Sequence, residues 1–384
     1  MAADIFPLIL GLMILVASLI SIRAGISVTI IEILLGVIVG NLGFFQPESW
    51  MLYLASFGGI LLTFLAGVEI DVKLMRENFK ESFLIGFLSF FLPFLAVFVL
   101  TYFGIGWGLN PSLLTATALS ETSIAVVYSV LTERGLFKEN LGKLIMVATF
   151  ITDMCTAIAL SVLFTKFDIY TVIFYVVSVA VLILAYYYSD YIFENEKLRN
   201  KLAEIEIKYI FLLLLIFIFF ASLGGGQAIL PSFVLGVILS NHFRETKGEL
   251  NVKSRFKTVA FAILTPIFFI MGGMKVSIPL IISAIGVFIV IFVLRQLSKF
   301  IGVFYVSKYY LNSNYTYLTM MMSTGLTFGL VAALFGLNSG LISQLTYSIL
   351  TGVLVLSAII PTIVADKWYP PVHSEDIVES VSDY

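Results

Sequence analysis

Hydrophobic residues in this chain come in long unbroken runs, not in the 3.6-residue stripe of an amphipathic helix. Ile5 to Ile22, Leu84 to Asn110 and Tyr209 to Asn241 carry no charge at all. Each is long enough to cross a bilayer core of ~30 Å as a helix. Cutting the chain at charge clusters and turn residues predicts thirteen helical spans, at about 5–22, 27–43, 51–70, 82–104, 111–131, 140–165, 169–189, 206–222, 226–241, 257–275, 278–308, 316–336 and 341–364. The span from 278 is longer than a bilayer needs, so it must be tilted, kinked or split. The fold class is therefore an all-α polytopic membrane protein.

The polar connections give a direction. With the N-terminus outside, the cytoplasmic loops hold eighteen of the 22 basic residues, from Arg23 through the clusters at 73–80, 134–143, 197–208 and 244–257 to Lys308 and Lys367. The outer loops keep Lys166 and Lys275, and Arg295 and Lys299 fall inside a span. A miscounted helix would scramble this alternation, so the positive-inside bias supports both the count and a multi-pass cell-membrane protein with a cytoplasmic C-terminus. The first apolar run has no basic n-region or small-residue cleavage site and reads as a first span.

Composition narrows the function classes. Sixty per cent of the residues are apolar and 12% charged, about half the charge of an average soluble domain. A net charge of −2 offers no basic surface for nucleic acid. The single cysteine, Cys155, and the two histidines, His242 and His373, leave almost no ligands for a haem or zinc site. No cofactor is expected, and the surrounding partner is lipid.

Spans one to six and eight to thirteen cover similar lengths, and a single span between them makes the two halves enter the membrane in opposite directions. That is the plan of inverted-repeat transporters. It divides the chain into a first repeat at 1–165, a linker helix and cytoplasmic loop at 166–205, a second repeat at 206–365 and a short tail at 366–384. The fifth and twelfth spans occupy matching places, and polar residues interrupt both: Ser120-Glu121-Thr122-Ser123 in one, Ser323-Thr324-Gly325-Leu326-Thr327 in the other. Unwound backbone at that depth is tolerated only where it lines a cavity or packs on protein, so crossed discontinuous helices are expected.

An ionisable group in a span costs roughly 2.5–3.5 kcal/mol on insertion scales, which makes each one a functional candidate. Asp153 lies midway along the sixth span among Thr149, Thr152 and Thr156. A carboxylate there is neutralised by a proton or by a small desolvated cation such as Na+ or K+, and one site that holds either but not both is itself an exchange mechanism. The hydroxyls and free carbonyls of the broken fifth span are the oxygens a hard cation uses. The bland reading makes Asp153 a structural acid paired with Lys299 or Arg295. These two basic residues are four apart and share a helix face. Lys299 reads equally as a switchable partner of the acid or a static brace, and Arg295 reads as structural because a guanidinium does not deprotonate. Glu121 is either a second cation ligand or an acid facing the dipole of the following half-helix. Glu32 and Glu69 read as acids satisfied near the membrane interfaces.

At these residues the sequence resembles the monovalent cation:proton antiporter-2 family, the Kef-type and related sodium/proton antiporters. Ile31-Glu-Ile-Leu-Leu-Gly-Val-Ile-Val-Gly40 is similar to the family's second-helix pattern, and Phe64-Leu-Ala-Gly-Val-Glu-Ile-Asp71 to the end of its third helix. Ala118-Leu-Ser-Glu-Thr-Ser-Ile-Ala125 resembles the unwound segment of the fifth, and Thr265-Pro-Ile-Phe-Phe-Ile-Met-Gly-Gly273 a proline-phenylalanine-glycine pattern in the tenth. The resemblance implies a homodimer built from a core and a dimerisation domain, whose core carries the ion in an elevator-like motion. It aligns Asp153 with the ion-binding aspartate, Thr122 and Ser123 with the unwound polar pair, and Lys299 with the basic residue of the long helix. Thr152 stands where electrogenic members carry a second aspartate, and a single titrating carboxylate points to electroneutral one-for-one exchange. Thr324-Gly-Leu-Thr327 stands where many relatives carry a glycine-glutamate pair. No nucleotide-binding regulatory domain is expected after the last span.

The function these readings imply is a sodium/proton antiporter serving pH homeostasis in a prokaryotic inner membrane, with potassium/proton exchange the nearest alternative. An organic-anion symporter of a related inverted-repeat fold is the rival of another class, with Arg295 or Lys299 as the anion's partner. An intramembrane aspartyl protease needs two catalytic aspartates, and the spans contain one. A passive channel lacks a repeated carbonyl filter or ring-forming acid. No enzymatic activity is expected.

Overall fold

A computed structural model describes residues 5–24, 27–43, 47–69, 79–136, 139–164, 168–195, 204–224, 227–243, 252–311 and 313–371, which are helices and short connections. Lys73, Arg76, Lys138, Lys166, Lys197, Arg199, Lys201, Arg244 and Lys247, used for the insertion direction, lie outside the described residues, as do Asp71, His373 and the acidic tail from 372. Ten of the described helices are long and apolar enough to cross a membrane. Shorter apolar helices at Val28–Leu42 and Ile229–Phe243, and an interrupted pair at Leu109–Ser120 and Ile124–Glu133, fall at the other three predicted positions.

The helices group by contact into two compact units, Met1–Val72 with Ala157–Met274, and Lys73–Thr156 with Lys275–Tyr384. Each unit therefore combines a segment from each half of the chain, and neither coincides with the halves 1–165 and 206–365.

The first unit contains α1 (Phe6–Ala24), α2 (Val28–Leu42) and α3 (Ser49–Val68), and later α8 (Ile169–Glu194), α9 (Ile205–Gly224), α10 (Ile229–Leu239), α11 (Val252–Val259) and α12 (Thr265–Met274). Its closest seams are made by glycine. Gly36 and Gly40 of α2 lie against the backbone of Ile270 and Met274 in α12, and Gly67 of α3 faces Gly236 of α10. A Cβ at any of these would overlap a backbone oxygen of the facing helix. This is the small-residue packing that lets apolar helices associate when lipid removes the hydrophobic drive.

The second unit contains α4 (Phe79–Val99), which ends in a π turn at Leu100–Gly104, then α5 (Leu109–Ser120), α6 (Ile124–Glu133) and the first part of α7 (Asn140–Leu163). After Lys275 it adds α13 (Ile278–Ser283), α14 (Ile285–Tyr310), α15 (Tyr315–Met322), α16 (Thr327–Asn338) and α17 (Gln344–Trp368). The overlong eleventh span is split, with Ala284 out of helical geometry between α13 and α14. On α4, Phe79, Phe83, Phe87 and Phe91 stack at successive i, i+4 positions with centroids 5.4–5.8 Å apart, and all four are exposed. Their rings form one exposed edge of the helix.

Candidate functional site

Two helix interruptions build the site, both in the second unit and both at the predicted residues. Between α5 and α6 the chain is extended over Glu121–Ser123, and between α15 and α16 it is irregular from Ser323 to Leu326. The local cause is hydroxyl competition with the helical ladder. Ser120 donates to the Ala116 carbonyl at 2.6 Å, Ser323 to Thr319 at 2.8 Å and Thr324 to Met321 at 2.8 Å. Gly325 lets the second break pass close to its neighbours. The two breaks touch directly. Thr122 donates to the Met322 carbonyl at 2.9 Å, and the hydroxyls of Ser123 and Thr327 are 2.9 Å apart.

Each helix that stops here leaves carbonyls without helical partners, and α14 supplies the donors. Arg295 is fully buried. Its Nε donates to the Leu119 carbonyl and one Nη to the Ser323 carbonyl, both at 2.8 Å; the other Nη reaches the Glu121 and Thr324 carbonyls at 3.3 Å. One guanidinium thus closes the C-terminal ends of both α5 and α15, where a helix dipole favours positive charge. Four residues on, Lys299 donates to Thr122 Oγ1 at 2.7 Å, to the Met322 carbonyl at 3.2 Å and to Ser89 Oγ at 3.3 Å. Burial of the arginine is tolerable because its donors meet oxygens that each carry a partial negative charge.

The acids are arranged differently. Glu121 is fully buried. Its carboxylate sits beside the backbone N–H groups of Leu326 and Gly329 without closing a full hydrogen bond to either. It faces the positive end of α16, the half-helix of the opposite break, and not the following half-helix α6. Asp153 of α7 is fully buried, and neither carboxylate oxygen has a hydrogen-bond partner among the described residues. Glu121 and Lys299 are within electrostatic reach of it, but it forms no ion pair with Lys299 or Arg295. The paired-brace reading of Asp153 does not describe this arrangement. The surrounding threonine hydroxyls turn back on their own helix: Thr152 donates to the Thr149 carbonyl at 2.6 Å and Thr156 to Thr152 at 2.8 Å. Thr149 points its hydroxyl at the Met322 sulfur, 3.5 Å away. A donating hydroxyl keeps its lone pairs, so the Thr152 oxygen remains able to face a cation.

Of the residues singled out from sequence, Asp153, Glu121, Thr122, Ser123, Thr152, Arg295 and Lys299 all belong to the second unit. Glu69 does not: it caps α3 in the first unit and pairs with Lys257 at 2.5 Å. Glu32 is buried within α2, with one carboxylate oxygen lacking a hydrogen-bond partner among the described residues. Sequence reasoning missed Ser89 and the Met322 carbonyl. Ser89 had a faint signal as a hydroxyl in the long uncharged run of the fourth span, and a backbone carbonyl has none.

A family model described as "Sodium/hydrogen exchanger, transmembrane" matches residues 10–366. The chain is 26% identical over 375 residues to the "Probable Na(+)/H(+) antiporter 3" of Methanocaldococcus jannaschii, covering 94% of this chain and 95% of the relative. It is 25% identical over 367 residues to the "Na(+)/H(+) antiporter" of Enterococcus hirae, covering 91% and 93%. Its fold matches the solved sodium proton antiporter MjNhaP1 of Methanocaldococcus jannaschii with a TM-score of 0.69 at 16% identity, covering 93% of this chain and 95% of that one. These matches do not support the narrower Kef-type placement, and the antiporter-1 group fits better. The physical reason lies in the motifs. Gly36, Gly40 and Gly273 are helix-seam glycines, which any tightly crossed bundle needs and which therefore mark no subgroup. The match over nearly the whole chain and the shared fold together place this protein in the sodium/hydrogen exchanger family.

Proposed function

We propose that this protein is a secondary active antiporter, not an enzyme, exchanging Na+ for H+ across the membrane by alternating access at Asp153. One observation carries the reading: a fully buried carboxylate that finds no hydrogen-bond partner for either oxygen among the described residues. A buried carboxylate that accepts no hydrogen bond is costly to keep ionised, by several kcal/mol. The side chain therefore holds a proton or a cation, and the two compete for one place. Thr152, Ser123 and Glu121 supply further oxygens. The relatives' names, Na+/H+ antiporters, support sodium as the cation.

Charge counting supports electroneutral exchange. Asp153, Glu121, Arg295 and Lys299 balance when all are ionised, and a proton or a sodium ion adds the same single charge. The unit bearing the crossing is the element we assign to the elevator-like motion, and the first unit the dimer contact of a homodimer. The thirteen-span count, the inverted repeats at 1–165 and 206–365, the outside N-terminus and the inner-membrane setting belong to the same proposal.

The test is purified protein in proteoliposomes with a trapped pH dye and an imposed proton gradient, to which sodium or potassium chloride is added. The expected result is a sodium-dependent collapse of the gradient, equal at zero and inside-negative potential and absent in Asp153→Asn. Full exchange by folded Asp153→Asn overturns the role of Asp153. Indifference to both cations overturns the antiporter reading, and a response to potassium alone overturns the choice of sodium.

A further inference from the structure

We propose that the groove between α4 and α14 is a binding site for one acyl chain of a bilayer phospholipid, held on a side of α14 away from the helix crossing. The proposal does not depend on which ion is exchanged.

The two helices are pinned at one level and open at another. A Cβ on Gly302 of α14 would meet the Leu88 carbonyl of α4 at 2.9 Å, so the backbones nearly touch there. Pro93 stands inside α4 and cannot donate to the Ser89 carbonyl, which bends a helix. The same helix runs on into the π turn at Leu100–Gly104. From Leu92 onward the pair borders a groove of about 860 Å3, far larger than a packing defect and within the range of small-ligand sites.

The walls are Leu92, Ala96 and Leu100 on one side and Leu294, Leu297 and Ile301 on the other. Ser298 is the one polar side chain among the described residues that line it, and its hydroxyl donates to the Arg295 carbonyl at 3.0 Å. No side-chain donor is left for a sugar, a phosphate or a carboxylate, so such a group would lose its water there without compensation. The occupant is hydrocarbon.

Both helices are among the ten long and apolar enough to cross a membrane, and Leu95, Val99, Leu297 and Ile301 at the rim are exposed. Hydrocarbon at that rim is lipid. A partner helix fits poorly. It is about 10–12 Å across and packs in lipid on small residues, as at Gly36 and Gly67, whereas this rim is leucine, valine and isoleucine. An acyl chain has no side groups and can lie between them. The groove runs out at Phe103 and Gly104, just before Trp107 and beside Tyr102. Tryptophan and tyrosine favour the membrane interface, so a chain entering at this end leaves its head group there. Arg295 and Lys299 leave α14 on a different face, into the crossing. The chain fills the space behind the helix that carries them.

The test uses phosphatidylcholine brominated along its acyl chains, which quenches nearby tryptophan. Leu297→Trp places an indole at the groove, and Leu8→Trp places one on the exposed face of α1 as the control. The wild-type signal of Trp50, Trp107 and Trp368 is subtracted. A chain walled on two sides gains dispersion contacts that a micelle does not offer. In dodecyl maltoside micelles, Leu297→Trp should be half-quenched at a brominated lipid fraction about tenfold lower than Leu8→Trp, a preference of about 1.4 kcal/mol. Ala96→Phe, which fills the groove, should abolish the difference. Equal half-points in the two proteins, or a difference that survives Ala96→Phe, overturn the proposal.

A second measurement covers the case in which Leu297→Trp does not fold. Native mass spectrometry should find one phospholipid fewer on Ala96→Phe than on the wild type. An equal count overturns the proposal. A smaller assembly of Ala96→Phe by size exclusion also overturns it, by making a second copy of this chain the occupant.

Discussion

Gly325→Ala perturbs the crossing at one atom. A Cβ built on Gly325 overlaps the Nη of Arg295 that serves the Glu121 and Thr324 carbonyls, and comes within 3.1 Å of the Glu121 carbonyl itself. The backbone cannot yield, because both breaks are held there, so the guanidinium must move. Two charge-assisted bonds of 3.3 Å are lost or weakened, while the two at 2.8 Å are kept in part. Hydrogen bonds to charged groups contribute about 1.5–3 kcal/mol each, and long ones fall at the low end. Overpacking adds roughly 1–3 kcal/mol. A total of about 3–5 kcal/mol is expected. In an Arg295→Lys background the obstructing nitrogen is gone, and the planar fork with it, so the same substitution should cost under about 1 kcal/mol. The coupling between the two sites is then about 2 kcal/mol or more, towards the upper end of the range for residues in contact. Unfolding of the four proteins in mixed micelles by SDS titration measures the cycle. Gly286→Ala, whose added Cβ meets nothing within 4 Å, is the control and should be neutral or slightly stabilising. Equal costs of Gly325→Ala in the two backgrounds would refute the reasoning, since the guanidinium would then not be what the methyl displaces.

In the first unit, Gly67→Ala forces a methyl onto the Phe233 carbonyl and Gly236. It should cost more than about 3 kcal/mol and cut folded yield by size-exclusion profile, while Gly11→Ala, with open space around it, should not. A normal profile for Gly67→Ala means the α3–α10 seam is looser than described. Lys275 donates to Asn338 at 2.7 Å, and burial lowers its pKa from the ordinary 10.5. The folded state therefore binds this proton less tightly than the unfolded chain, and stability rises with pH on the approach to 10.5. Lys275→Met should flatten that alkaline rise in melting temperature. An unchanged slope places the proton linkage elsewhere.

Much of the fold was legible because its signals are local. Apolar run length located the helices, and hydroxyl-rich interruptions located both breaks to within a residue of Ser120–Ser123 and Ser323–Thr327. The cost of charge in lipid picked out Asp153, Glu121, Arg295 and Lys299 without any structure. Glu121, read as either a second cation ligand or an acid at the following half-helix, lies beside the N-terminus of α16 and not of α6. Glu69 shows the limit of the method. It carries a charge at a span end like the others, and only its partner Lys257 separates it from the crossing.

The sequence by itself determined what must be buried and where the backbone must break, because hydrophobic run length, hydroxyl competition and the desolvation of charge act on each segment separately. The tertiary structure alone decided what each buried group meets. Arg295 closes carbonyls 174 and 176 residues away, Lys299 takes Ser89 and Thr122 in place of Asp153, and Asp153 is left with no hydrogen-bond partner among the described residues. Pairing of that kind depends on which helix ends converge. Backbone carbonyls, identical in every residue, supply most of the partners and leave no trace in the sequence.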